Sequence, residues 1–424
     1  MELSKTQFNQ KTLENGMRII AVPMTEAKTV TVLAMVRAGS EYETKTNNGV
    51  SHFLEHLFFK GTKKRSNNDI IHELDLMGAE SNAFTAQEFT GYYARASKDK
   101  FIDVLDIISD IFINSTFPES EIEKERGVII GEIEMQQDTP TRYIDTVLQK
   151  LFHGDQPAGL PVLGTKEAIG GLQRSDFLAY YTEYYVASAA TIVVAGNIGD
   201  NAISIAEKYF KDVPEGTKTI KLAVQNLQER PRIGYVEKNT DQTHFAFGIQ
   251  ALPFNTAGQY VIDLISVILG QGMSSRLQKK LREEMGACYY LSSSNDAYAD
   301  YGMLTIGSGV HHDMFLQSIH VILEECKKLK TELVSEAELY KAKEYIAGIY
   351  NVRFENNYDL ARWYGQMNSL GQNHLESPEE YIDKIKQVTS SQIQEIANSI
   401  FKNEKMSLAY IGPMKFNDRD IFVS

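Results

Sequence analysis

Residues 50–59 read Val-Ser-His-Phe-Leu-Glu-His-Leu-Phe-Phe, so two histidines and a glutamate interrupt an otherwise apolar run. At about 100° per residue, a helix places His52 and His56 roughly 40° apart, with Glu55 beside them. Because the remaining positions are mostly Phe and Leu, this helix is expected to be buried. Two imidazoles and a carboxylate are costly in an apolar interior unless something satisfies them. A divalent metal ion does so, and zinc readily accepts neutral imidazole nitrogen.

Catalytic zinc usually takes a third ligand from the protein, and an acidic helix downstream offers one. Residues 120–135 read Ser-Glu-Ile-Glu-Lys-Glu-Arg-Gly-Val-Ile-Ile-Gly-Glu-Ile-Glu-Met and follow a helical pattern. Glu125 and Glu132 lie two turns apart and therefore share a face. Isoleucines flank Glu132, which predicts a partly buried carboxylate. This helix is therefore expected to supply the third ligand.

Composition limits the class of protein. The chain has 424 residues, enough for two or more domains, and its net charge of −13 argues against a general nucleic-acid binder. Its two cysteines, Cys288 and Cys326, lack metal or redox spacing, and residues 1–10 lack the apolar core of a secretion signal. No apolar run reaches the length of a membrane span. A cytoplasmic protein without a membrane partner is expected.

The second half of the sequence repeats the first. Met285-Gly286-Ala287 echoes Met77-Gly78-Ala79, and helical patterns recur in the same order on both sides of a polar connector at 214–231. We therefore predict an N-terminal domain at 1–213 and a homologous C-terminal domain at 232–424. When Gly61 is matched to Gly270 without gaps, His52, Glu55 and His56 fall opposite Val261, Leu264 and Ile265. When Ser120 is matched to Ser335, Glu132 falls opposite about Ala347. The second half thus has core residues in these places.

Local signals predict the elements around the metal helix. Residues 29–36 are a β-rich run that predicts a central strand, and Ser66 is a predicted N-cap for a helix that ends at Leu76. Residues 80–85 and 88–95 read as paired strands.

These motifs resemble the pitrilysin/insulinase zinc peptidases, in particular short subunits similar to bacterial processing proteases and to the β subunit of mitochondrial processing peptidase. His-x-x-Glu-His is their inverted zinc motif. Their third-ligand Glu lies at about the spacing seen here, 76 residues after His56, with a second Glu seven residues before it. Their C-terminal motif pairs an Arg with a Tyr seven residues later, which Arg282 and Tyr289 match. Where the family tends to Gly-Leu-Ala-Tyr, this chain reads Gly-Ala-Cys-Tyr.

The resemblance implies an α+β fold of two homologous domains, each a mainly antiparallel sheet packed with helices. It implies one zinc per chain, held by His52, His56 and Glu132, with Glu55 as general base. The roles that it implies for the other residues are support of the zinc site by Glu125, edge-strand substrate binding by Asn82 and Ala83, and substrate-backbone binding by Arg282 and Tyr289. Without the family, Arg282 reads as a solvated helix residue and Tyr289 as strand core.

The resemblance also implies a clamshell dimer, in which the Arg/Tyr pair approaches the zinc of the opposite subunit inside a chamber. The expected function is a zinc-dependent endopeptidase that hydrolyses unfolded peptides, acting as a homodimer. Two alternatives stay open: a heterodimer with an inactive sister chain, and a non-catalytic assembly subunit of the same fold.

Overall fold

The computed structural model describes residues 6–226, 228–372 and 374–422. Residues 1–5, part of the stretch considered for a targeting signal, lie outside this description, as does position 227 of the predicted connector. The chain forms two compact units. Each unit contains one sheet with helices packed against it, as the predicted α+β class requires.

The first unit is built around a six-stranded sheet in the order β1-β2-β6-β3-β5-β4. Its strands are β1 (Asn9–Thr12), β2 (Arg18–Pro23), β3 (Thr29–Val36), β4 (Glu80–Thr85), β5 (Thr90–Ser97) and β6 (Ala190–Gly196). Only β2 and β6 run parallel; the other pairs are antiparallel. The predicted central strand is β3, which is buried along nearly its whole length. At one end of the order, β4 pairs only with β5 and forms an edge.

The second unit contains a five-stranded sheet in the order β7-β11-β8-β10-β9. Its strands are β7 (Arg232–Glu237), β8 (Thr243–Ala251), β9 (Cys288–Ala297), β10 (Gly302–Val310) and β11 (Met406–Gly412). Here too one pair, β7 with β11, is parallel and the others are antiparallel. This order matches β2-β6-β3-β5-β4 strand by strand, which confirms the predicted repeat.

Helices complete both units. In chain order they are α1 (Val50–Leu57), α2 (Asn67–Leu76), α3 (Phe101–Asn114), α4 (Glu119–Asp138), α5 (Pro140–His153), α6 (Lys166–Gly171), α7 (Arg174–Tyr184), α8 (Ala202–Phe210), α9 (Gln259–Gly270), α10 (Phe315–Thr331), α11 (Glu336–Arg353), α12 (Asn357–Ser369), α13 (Pro378–Gln387), α14 (Ser390–Ile400) and α15 (Asp418–Ile421). A π-helix, Gln278–Glu284, lies between α9 and β9. Within the described ranges, none of these helices combines the length and the apolar character that crossing a bilayer requires.

The metal helix α1 is fixed by aromatic packing. Phe53 meets Phe177 of α7 edge-on, with 4.7 Å between ring centroids. Just beyond the helix, Phe58 stacks on Tyr92 of β5 at 4.4 Å and on Tyr185 at 5.0 Å. Buried aromatic pairs of this kind stabilise a fold beyond the area that they bury. Because contacts come from both the sheet and α7, the helix has one defined orientation.

Two helices pack on the sheet that belongs to the opposite half of the sequence. Helix α12 covers β6 and β3 of the first unit, where Asn357 donates to Thr29 and accepts from Thr31. Helix α5 covers β11 and β8 of the second unit, through Ile144 and Leu148. The first unit therefore comprises 6–134, 160–222 and 352–379, and the second 135–159, 223–351 and 380–422. The predicted boundary at 214–231 separates the two homologous halves of the sequence. The two compact units are instead defined by which segments pack together, so they do not test this boundary, which stays a prediction.

Candidate active site

Helices α1 and α4 bring three potential metal ligands together. His52 Nε2 and His56 Nε2 each lie 3.7 Å from the same oxygen of Glu132, Oε2. The nearest ligand atoms of the three residues all lie within 4.8 Å of one another. His52 is buried, His56 is partly buried, and the side chain of Glu132 is 31% exposed, so the cluster has one open side.

The geometry and chemistry of this cluster fit a zinc ion. Ligands at about 2.1 Å from a tetrahedral ion lie about 3.4 Å from each other, near the 3.7 Å observed between His and Glu atoms. A zinc ligand must be a neutral imidazole. Burial, and secondarily the charge of His56, lower the pKa of His52 to about 3, so its ring is neutral at physiological pH. Two imidazole rings and one carboxyl group therefore face a common point.

Glu125 holds the ring of His56 from behind. His56 Nδ1 lies 2.9 Å from Glu125 Oε2, and Lys60 Nζ lies 2.8 Å from Glu125 Oε1. Burial alone would raise the pKa of Glu125, but the hydrogen bonds from Lys60 and His56 outweigh it, and the pKa is lowered. An ionised carboxylate accepts the hydrogen bond from His56 Nδ1, so Nε2 is the ring atom of His56 that can bind a metal.

Glu55 projects from α1 beside these residues without joining the three ligand atoms. The hydroxyl of Thr85, at the end of β4, donates a 2.6 Å hydrogen bond to Glu55 Oε2. Burial raises the pKa of Glu55, and the hydrogen bond from Thr85 opposes that rise only in part. A half-buried carboxylate with a raised pKa has the properties of a general base.

The N-terminus of α1 is capped by a distant carboxylate. Gly49 has no side chain for this purpose, and its φ of 93° is a conformation that glycine adopts without strain. Glu43 takes the role of the cap: Oε2 accepts from the Gly49 N–H at 2.7 Å, and Oε1 accepts from the Ser51 N–H at 2.9 Å. A carboxylate at the positive end of the helix dipole stabilises the helix. This cap fixes the turn that carries His52.

Three of the remaining predicted residues lie on edge strands, and the fourth, Arg282, lies on a helix. Asn82 and Ala83 lie on β4, the edge of the first sheet, and Asn82 is exposed. In the second unit, Tyr289 lies on β9, also an edge strand, and is 81% exposed. Arg282 is exposed in the last turn of the π-helix. Tyr289 is therefore a strand residue but not a core residue.

Sequence reasoning missed three supporting residues: Thr85, Lys60 and Glu43. Thr85 follows Ala83 by two positions on a predicted strand, so a weak signal for its direction was available. Lys60 follows His56 by four positions, so on a helix that continued to Gly61 it would share the face of His56. Glu43 carried no signal, because its cap crosses a loop whose course the sequence pattern does not predict.

Comparisons with known proteins find relatives that match nearly the whole chain. The sequence profile of the insulinase domain (peptidase family M16) matches residues 18–166, and that of the peptidase M16 inactive domain matches residues 171–346. A Bacillus subtilis protein called "uncharacterized zinc protease YmxG" is 32% identical over 407 residues, which is 95% of this chain and 97% of the relative. A Rickettsia felis "uncharacterized zinc protease" is 32% identical over 416 residues, 96% of this chain and 98% of the relative.

Solved structures share the fold. The structure of a protease from Helicobacter pylori superposes with a TM-score of 0.90 at 22% identity, over 96% of this chain and 100% of that one. A peptidase M16 inactive domain from Pseudomonas fluorescens gives a TM-score of 0.88 at 19% identity, over 97% of this chain and 99% of that one. Both halves of the sequence and nearly its whole length are thus accounted for, and the chain belongs to the insulinase family of peptidases, family M16.

Proposed function

We propose that this chain is a zinc-dependent endopeptidase that hydrolyses unfolded peptides. The observation that carries the proposal is the convergence of His52, His56 and Glu132 on one point, beside the carboxyl group of Glu55, which lies outside this three-residue group. Curated relatives are zinc proteases by name. The two cysteines are free buried thiols, which supports a reducing, cytoplasmic location.

In this proposal His52, His56 and Glu132 hold the zinc, and Glu125 orients the ring of His56. A zinc ion held there would supply Lewis-acid chemistry: it would polarise the scissile carbonyl and acidify the attacking water. Glu55 takes the proton of that water and later delivers it to the leaving amine. Burial raises the pKa of Glu55, which strengthens this group as a proton acceptor.

The edge strand β4 is the proposed seat of the substrate. An extended peptide can add to a free edge as another strand, and main-chain hydrogen bonds then hold it whatever its side chains are. Asn82 and Ala83 lie on this edge, and Thr85 ends the same strand beside Glu55. Only a segment that can become extended fits this mode, so we infer that unfolded peptides are the substrates.

The proposal is tested by hydrolysis of an unstructured peptide of about 20 residues. The control substrate presents the same sequence inside a stably folded domain. We expect the zinc-loaded chain to cleave the free peptide but not the folded control, to lose activity with a chelator, and to regain it with added zinc. Products are read by mass spectrometry. Cleavage that persists after complete zinc removal would contradict the metallopeptidase assignment.

We further propose a homodimer in which Arg282 and Tyr289 serve the zinc site of the partner subunit. Both side chains are exposed, and both are hydrogen-bond donors suited to a substrate carbonyl. In this arrangement residues 1–213 form the catalytic domain, 214–231 the linker and 232–424 the domain that carries the Arg/Tyr pair. The chain holds both the zinc set and this pair, so a homodimer is self-sufficient.

Mixed dimers test this exchange. Glu55→Gln and Arg282→Ala chains are each expected to be inactive alone. Equal, randomly mixed subunits should recover about a quarter of wild-type activity, because half of the dimers are mixed and each mixed dimer contains one complete site. If the pair acts within its own chain, mixing restores nothing. A wild-type homodimer that loads zinc but cleaves no peptide would favour the heterodimer or the assembly subunit.

A further inference from the structure

The side chain of a buried lysine, Lys221, contacts two buried carboxylates beside the turn that joins β4 to β5. Lys221 Nζ lies 2.7 Å from Glu41 Oε2 and 3.3 Å from Glu88 Oε1. The side chains are 8%, 1% and 4% exposed for Lys221, Glu41 and Glu88. Removing one partner from such a buried set leaves charge uncompensated, which is strongly destabilising locally. The catalytic assignments above give these three residues no role.

The orientation of Lys221 runs against the hydrophobic pattern of its segment. Its neighbours Ile220 and Leu222 are 83% and 72% exposed, while the lysine points inward. A connector normally turns its apolar side chains inward and its charges to water. The arrangement is therefore maintained by the two carboxylates that receive the lysine.

Glu41 and Glu88 lie on two backbone segments that pack closely against each other. Glu41 belongs to a short 3₁₀ turn, Ser40–Tyr42, and its N–H donates to Gln87 O at 2.8 Å. Glu88 lies in the turn that joins β4 to β5. No additional atom fits between these two segments, because a Cβ on Gly39 would lie 2.3 Å from Ala86 O. Without a cation between them, two buried carboxylates would repel and push the turn away from this backbone.

The same turn begins where Thr85 ends β4. Thr85 donates to Glu55, so a displacement of the turn moves the hydrogen bond that orients this carboxylate. We propose that Lys221 is a positioning residue for Glu55, acting through the β4–β5 turn and Thr85. This inference rests on the proposed function, because that function makes Glu55 the general base. A residue of the connector thereby sets the geometry of the reaction without touching substrate.

The test compares the zinc-loaded full chain with Lys221→Met. The matched control is Lys211→Met, which alters an exposed lysine of the same unit. We expect Lys221→Met to retain zinc, to exchange amide hydrogens faster within residues 84–91, and to lower kcat about tenfold with KM within about twofold. The Lys211→Met chain should match the wild type in all of these measurements.

A double variant separates this role from a general loss of stability. Adding Glu88→Gln to Lys221→Met removes the repulsion, so exchange within 84–91 and kcat should both return toward wild type. If Lys221→Met does not fold, this double variant is compared with Lys211→Met on the same measurements. The proposal is overturned if exchange within 84–91 is unchanged, if exchange rises while kcat stays normal, or if the double variant is no better than the single. A wild-type chain that cleaves nothing would count against the proposed function, while the exchange measurement would still decide whether Lys221 holds the turn.

Discussion

Glu55→Gln is expected to lower kcat on an unstructured peptide by about a thousandfold without loss of zinc. The amide has the size of the carboxylate and still accepts the hydrogen bond from Thr85, but it cannot take a proton from water. His52 and His56 flank the change on the same helix, and neither depends on Glu55 for a hydrogen bond. The measurement is steady-state kinetics on samples whose zinc content is determined by elemental analysis.

The control for this variant is Glu134→Gln on α4. Glu134 is an exposed glutamate paired with Lys166, so its replacement should leave both kcat and zinc content unchanged. Cleavage that survives in Glu55→Gln at full zinc content would show that another group accepts the proton. A fall in zinc content would instead show that Glu55 supports the metal site.

Glu132→Gln is expected to remove most of the bound zinc and, with it, the activity. A neutral amide oxygen is a poor substitute for a carboxylate toward zinc, and two histidines alone make an incomplete site. The stabilisation that zinc gives the folded chain should disappear as well, because it depends on selective binding to the native state. Zinc content per chain, and thermal unfolding with and without zinc, measure both effects.

Glu125→Gln should fall between these extremes. Glu125 contacts His56 and Lys60 rather than the proposed ion, and loss of such support costs about 10-fold to 100-fold in metal affinity. The expected order of zinc affinity is Glu134→Gln, then Glu125→Gln, then Glu132→Gln. If Glu125→Gln binds zinc as tightly as Glu134→Gln does, Glu125 does not support the zinc site.

The metal cluster could be predicted because helical periodicity fixes relative positions within a helix. His52 and His56 share a face whatever surrounds them, whereas Glu132 was predicted as the third ligand from the resemblance to the family, whose corresponding Glu lies at the same spacing after the second His. Ser66 was likewise a reliable start signal, and it forms a reciprocal capping box with Asp69. The repeat predicted two domains of the same fold, and the two sheets share one strand order.

Interactions between distant segments could not be predicted in the same way. Thr85 reaches Glu55 across 30 positions, and Lys221 reaches Glu41 across 180, with loops in between. Loop courses depend on tertiary packing rather than on local pattern. For the same reason, nothing in the helical pattern of residues 357–369 revealed that α12 would cover the first sheet rather than the second.

Helix α5 packs on the second sheet and helix α12 on the first, and this arrangement affects how the chain can fold during its synthesis on the ribosome. The first sheet lacks the packing of α12 on β3 and β6 until the chain has been made through Ser369. The second sheet uses a helix, Pro140–His153, that emerges before any of its own strands. The N-terminal half therefore cannot complete its packing as an independent first step, as domains of a nascent chain commonly do. Both units therefore complete their packing at the same late stage of synthesis. We expect a chain cut at the connector to give two fragments, each with a sheet that lacks one of its covering helices, instead of two domains.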